Sequence, residues 1–321
     1  MNFVEEAVLF PCAGDLLLGI VARPQPGPVE PALSCSGGQA LPAGQGNGVG
    51  SQAAVHGSMA AGRSTCGVLI VVGGPQYRVG SHRQFLLLSR RLAAEGYPVM
   101  RFDYRGMGDA SGAMRGFEQA SADIGAAIEA FQRACPAVQR IVLWGLCDAA
   151  SLALLYVDAT QDDRIAGLAI LNPWVRSEAS LAQTHIKHYY GQRLLQREFW
   201  WKLLKGRLGV LKSVQGLLQT ALLARRQNPS GRAESRSFQE RMADGWRQFA
   251  GSVLLILSGQ DYTAKEFIEF VGTSGAWSGL TAAAKVRRIE VADADHTFST
   301  RAWRGQVEDA TLAWLDSLVA T

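Results

Sequence analysis

The chain has 321 residues, of which 48% are hydrophobic and 19% charged, with a net charge of +4. This composition suits one large domain with an insertion, or two average domains, and excludes an intrinsically disordered chain. Its apolar runs, such as Gly67–Val72, are strand-sized rather than membrane-spanning, and its five cysteines (Cys12, Cys35, Cys66, Cys135, Cys147) share no metal-type spacing and give no disulfide framework. The first residues carry Glu5 and Glu6 where a signal peptide needs a basic and then an apolar segment, so a cytoplasmic protein is expected.

In chain order, Val4–Phe10 and Asp15–Ala22 read as a first hairpin. A stretch from Pro24 to Cys66 follows, rich in Gly, Pro, Ser, Ala and Gln and almost free of aromatic and charged residues. It cannot bury enough apolar surface to offset its ordering entropy, which predicts a flexible surface loop at about 24–66. A Gly-rich phosphate cradle is the alternative there, but it lacks the P-loop Lys and the following helix pattern.

Val68–Val72 is a β-branched run bounded by Gly73-Gly74, and Arg83–Ala94 has helical spacing through Phe85, Leu88 and Leu92. Val99–Tyr104 predicts a strand and Phe117–Ala134 a helix, with Ile124, Ile128 and Phe131 on one face. Ile141–Trp144 reads as a buried strand, followed by the small-residue helix Ala149–Tyr156. Leu168–Leu171, Val253–Leu257 and Val286–Val291 are further strands, and Thr300–Leu318 closes the chain as an amphipathic helix. Strands alternating with helices predict a mostly parallel sheet covered on both faces, with functional residues at the C-terminal ends of the strands.

The residues after those strands form a consistent set. Gly145-Leu146-Cys147-Asp148-Ala149 has the small-x-nucleophile-x-small pattern of a nucleophile elbow, with Cys as nucleophile. A tight strand-to-helix turn demands tiny flanking side chains and presents the sulfur at a helix N-terminus, where the attacking thiolate is favoured. Asp261, just past Val253–Leu257, is placed to orient a histidine, and His296 lies on the loop after the last strand. The order nucleophile, acid, base is that of hydrolase triads on α/β sheets. The plain alternatives are a buried structural Cys, a turn-capping Asp and a solvated loop His, and Asp293 and Asp295 compete with Asp261 for the acid role.

An oxyanion hole would combine the N–H of Asp148 with an N–H from the loop Gly73-Gly74-Pro75-Gln76-Tyr77. Pro75 has no N–H, which leaves Gln76 as the favoured loop donor, with Gly74 beside it. In the segment from Arg101 to Gly112, the glycines at 106, 108 and 112 do not have dinucleotide-fingerprint spacing, and Asp103 and Arg105 read as structural members of a polar network behind the site.

On Gly73-Gly74-Pro75, Phe102–Gly108, Gly145–Ala149, Gly259-Gln260-Asp261 and Asp295-His296 the chain resembles the α/β-hydrolase superfamily over nearly its whole length. More narrowly, Gly73–Arg83 and Leu143–Ser151 resemble the hydrolases associated with exosortase A systems, bacterial proteins found beside exopolysaccharide and protein-sorting genes. The resemblance implies an α/β-hydrolase fold, a triad of Cys147, Asp261 and His296, and a nucleophilic Cys as a trait of the group.

The expected domains are a hydrolase core at 1–174, a basic helical cap at 175–249 and the rest of the core at 250–321. Between His185 and Arg232 stand ten Lys/Arg and one acid, Glu198, about +9 against about −5 for the rest. Leucines and Phe199-Trp200-Trp201 recur there at helical spacing, with Lys202, Lys205, Arg207 and Lys212 interleaved. Such an amphipathic segment can pack as a cap over the site, with Tyr189, Trp200 and Trp201 as substrate-binding candidates, or rest on an anionic membrane surface. No recognition motif supports nucleic-acid binding. The expected activity is hydrolysis of a small-molecule acyl ester or thioester through an acyl-cysteine, without metal or other cofactor. The alternatives are acyl transfer to a sugar or lipid-linked acceptor and a non-catalytic peripheral membrane scaffold.

Overall fold

The computed structural model describes residues 3–25, 63–74, 76–176 and 236–320. The chain divides into a unit of Met1–Val175 with Phe238–Thr321 and a second unit of Arg176–Ser237. Of the second unit only Arg176, Arg236 and Ser237 are described, so the predicted cap helices, the basic cluster and most of the 24–66 loop lie outside the described residues.

In the first unit, β1 (Phe3–Cys12) and β2 (Asp15–Pro24) form an antiparallel hairpin that turns at Ala13-Gly14, both at positive φ. β3 (Cys66–Val71), β4 (Val99–Asp103), β5 (Arg140–Leu146), β6 (Ile165–Leu171), β7 (Ser252–Ser258) and β8 (Val286–Val291) complete an eight-stranded sheet. Its order is β1-β2-β4-β3-β5-β6-β7-β8, parallel from β4 onward. This is the α/β-hydrolase fold, and all the predicted strands are present.

Strand periodicity builds two cores. In β3, Leu69 and Val71 face one side and Val68 and Ile70 the other, all fully buried. Helices α1 (Gln84–Ala94) and α6 (Arg301–Val319) cover the side of Val68 and Ile70, where Phe85 packs edge-on to Trp144 at 5.6 Å between ring centroids. Helices α2 (Ser121–Ala134), α3 (Asp148–Thr160), α4 (Phe238–Gln248) and α5 (Tyr262–Thr273) belong to the other side. Each buried Leu, Ile or Phe contributes roughly 2 kcal/mol of transfer free energy.

Two elements depart from expectation. The sequence reading assigned 175–249 to the cap, yet α4 belongs to the core unit. Gly245 is the reason: a Cβ there would overlap the Leu154 carbonyl, so its absence lets α4 lie directly on α3. Helix α5 was not among the expected elements, which pass from the strand Val253–Leu257 to the strand Val286–Val291. An N-cap and the packing of Phe267 on Trp277, at 5.5 Å, decide in favour of helix. No helix among the described residues is long and apolar enough to cross a membrane.

Candidate active site

The parallel strands bring the loops after β3, β5, β6, β7 and β8 to one edge of the sheet. At the end of β5 the backbone turns sharply at Cys147, with φ 63° and ψ −125°, straight into α3. A non-glycine residue in this region costs about 1–3 kcal/mol, and neighbouring contacts hold it there. The Cys147 N–H donates to the Leu171 carbonyl at 2.9 Å, and its own carbonyl accepts from Ala150 at 3.1 Å and Trp174 at 3.3 Å. A Cβ at Gly145 would stand 2.7 Å from the Ala149 carbonyl, so Gly is required for the turn to close. The thiol is partly exposed, whereas Leu146 and Ala149 beside it are buried.

His296 and Asp261 arrive from the two strands at the other side of the sheet. Their loops are stitched together by Gly259 N–H to Val291 O and Gln260 N–H to Ala294 O, both at 3.0 Å, and a Cβ on Gly259 would collide with Ala292. The His296 Nδ1 lies 2.8 Å from Asp261 Oδ2, and the ring is near enough to Cys147 for the thiol to act on its protonation. The hydrogen bond to Asp261 and then the neighbouring Cys147 thiol outweigh burial and push the imidazole up to about 10. Burial raises the Asp261 carboxyl, but His296 and the N–H groups of Thr263 and Ala264 hold it below the usual carboxylate range. Asp261 therefore does two things at once: it caps α5 and it faces the histidine. Of its rivals, Asp295 is spent on its own turn, accepting from Thr297 N–H at 3.1 Å and Ser299 N–H at 3.0 Å, and Asp293 is exposed.

The loop donors expected for an oxyanion are both engaged. The Gln76 N–H donates to the Gly74 carbonyl at 2.7 Å, and the Gly74 N–H donates to Asp148 Oδ2 at 2.8 Å. Asp103 and Arg105 do serve structure, through separate ion pairs. Arg105 grips Asp123 through two donors at 2.8 and 2.9 Å, and Asp103 pairs with Arg78. Arg78 also reaches Asp109 at 2.8 Å, tying the loop after β3 to the loop after β4. Tyr189, Trp200 and Trp201 lie outside the described residues.

Asn172, just past β6, was missed by the sequence reading. It is fully buried at φ 41°, and its Nδ2 donates to Ser258 Oγ and, at 3.2 Å, to the His296 carbonyl. Its Oδ1 accepts from Ser258 N–H at 2.9 Å. One side chain thus joins the ends of β6 and β7 to the histidine loop. The only signal for it was the turn dipeptide Asn172-Pro173 after an apolar strand.

With this geometry in place, comparisons with known proteins place the chain. Solved structures similar in fold include the Pyrococcus furiosus esterase, with a TM-score of 0.56 at 14% identity over 98% of this chain and 92% of that one. Est1E from Butyrivibrio proteoclasticus, with ferulic acid bound, gives 0.56 at 13% over 98% and 100%. Mouse alpha/beta hydrolase domain-containing protein 10 gives 0.53 at 13% over 98% and 99%. At these identities the likeness is one of fold. No curated protein sequence matches the chain. The family model described as serine aminopeptidase, S33 (Hydrolase_4) matches residues 65–243, more than half of the length, and the chain belongs to that family of α/β hydrolases.

Proposed function

We propose that this hydrolase cleaves a small-molecule acyl ester or thioester through an acyl-cysteine intermediate, with Cys147 as nucleophile, His296 as base and acid, and Asp261 as the group that orients the histidine. The family is described by a serine, and here a cysteine occupies the elbow. The observation that carries the reading is the hydrogen bond between Asp261 and His296, whose imidazole the Cys147 thiol at that strained turn also perturbs.

The Cys147 sulfur attacks the carbonyl carbon, its proton having passed to the ring nitrogen of His296 that faces away from Asp261. The carbon–oxygen or carbon–sulfur bond to the leaving group breaks, and the imidazolium returns that proton to the departing alkoxide or thiolate. Water then attacks the thioester, losing a proton to His296, and the carboxylic acid leaves as the thiol reforms. Asp261 keeps the imidazole in one tautomer and stabilises its charge. The main-chain N–H of Asp148, at the start of α3, is the donor assigned to the oxyanion. The N–H groups of Gly74 and Gln76 already have acceptors, so either joins only by exchanging that acceptor for the substrate oxygen.

The strings Gly73–Arg83 and Leu143–Ser151 support membership of the exosortase A-associated group, and the basic stretch from His185 to Arg232 supports contact with an anionic membrane.

The test is turnover of p-nitrophenyl acetate and of a short acyl thioester by wild type, Cys147→Ala and Asp261→Asn. Turnover in the wild type, abolished by Cys147→Ala and reduced about 10²–10⁴-fold by Asp261→Asn, is expected. Equal turnover in wild type and Cys147→Ala contradicts the proposal. Transfer of the acyl group to an added sugar in preference to water would make the enzyme an acyltransferase.

A further inference from the structure

The residue after the nucleophile contributes more than an N–H. Asp148 directs its carboxyl back under the loop after β3, where Oδ2 accepts the Gly74 N–H at 2.8 Å. The partner oxygen, Oδ1, is buried and has no hydrogen-bond partner. Gly73 makes room for it: a Cβ at that position would collide with Oδ1 and stand 2.7 Å from the Leu146 carbonyl and 2.9 Å from the Ala149 nitrogen. Loop and elbow are therefore fitted to one another through a carboxyl that only a glycine tolerates. Leaving a buried oxygen unsatisfied is destabilising, and such costs persist mainly where a site needs them.

The surroundings are those of the reaction. His296 from the loop after β8 acts on this carboxyl through its charge, Tyr104 after β4 feels the carboxyl in turn, and Cys147 precedes it. Burial raises the Asp148 carboxyl, opposed by the hydrogen bond from the Gly74 N–H.

We propose that Asp148 is a positioning residue for the hydrolysis, its carboxyl accepting the Gly74 N–H to hold the loop after β3 on the elbow and so fix the main chain around the reacting carbonyl. The proposal rests on the acyl-cysteine reading for its catalytic consequence, but the anchoring itself does not depend on any substrate. A displacement of about 1 Å in such a site costs up to about 10²-fold in rate.

The experiment compares wild type, Asp148→Ala and Asp148→Asn by hydrogen–deuterium exchange of peptides spanning residues 72–79 and by p-nitrophenyl acetate kinetics, with circular dichroism as the check on folding. Asn keeps an acceptor oxygen in the same place. Expected is exchange about tenfold faster in Asp148→Ala than in wild type, with Asp148→Asn close to wild type. In parallel kcat falls about 10–100-fold in Asp148→Ala at unchanged KM, and Asp148→Asn restores it to within about threefold. Unchanged loop exchange in Asp148→Ala overturns the proposal. So does a loss in Asp148→Asn as deep as in Asp148→Ala, which would assign the effect to charge. If wild type cleaves no ester, the substrate reading fails while the exchange measurement still decides the anchoring.

Discussion

His296 is held by Asp261 at 2.8 Å and perturbed by the neighbouring Cys147 thiol, and its folded-state value near 10 lies above its ordinary 6.5. The sign of the stability effect follows. The folded protein binds this proton more tightly than the unfolded chain, so the stabilisation is complete below about pH 6.5 and is lost as pH rises through about 10. The difference in melting temperature between wild type and His296→Gln is therefore expected to be widest near pH 6 and to shrink toward pH 10. A gap that widens with pH would contradict this protonation. All three members of the proposed triad were legible because each stands within a few residues of a strand end in the order that such sheets use. The alternatives weighed for them were not mutually exclusive, since Asp261 both caps a helix and faces the histidine. Asn172 was not legible, because a buried amide whose partners, Ser258 and His296, stand 86 and 124 residues away leaves no local pattern.

At the scale of elements, the site depends on how the strand ends are joined. Asn172 does this for β6, β7 and the histidine loop with every polar atom of its side chain paired. Replacing it with Leu leaves the Ser258 N–H and the His296 carbonyl without these bonds. The expected cost is about 1–3 kcal/mol in urea unfolding, together with a fall in kcat as the histidine loop loosens. Unchanged stability with unchanged kcat would show that the strand ends are held by other contacts. Elements with strong periodicity, such as α2 with Ile124, Ile128 and Phe131, were readable because each pattern reports one buried face. Helix α4 was hidden because its burial uses Gly245 and Gln239 as well as Met242 and Trp246.

For the whole molecule, charge is the informative quantity. About +9 is concentrated between His185 and Arg232 while the remainder carries about −5, so the net +4 understates the field that an anionic surface would meet. Binding of the full chain to phosphatidylserine vesicles in low salt, with release at about 1 M salt, where screening acts within about 3 Å, is the expected behaviour. Sedimentation with these vesicles no greater than with neutral phosphatidylcholine would assign the basic stretch to another task. The fold itself was legible from strand and helix alternation, whereas substrate choice was not.

The most direct test of the acyl-cysteine account is intact-mass analysis of the enzyme quenched in acid during turnover of p-nitrophenyl acetate. The account predicts a transient gain of one acetyl group in wild type, localised to Cys147 by peptide mapping, and none in Cys147→Ala. Turnover without an adduct at Cys147, or an adduct that survives in Cys147→Ala, would contradict it.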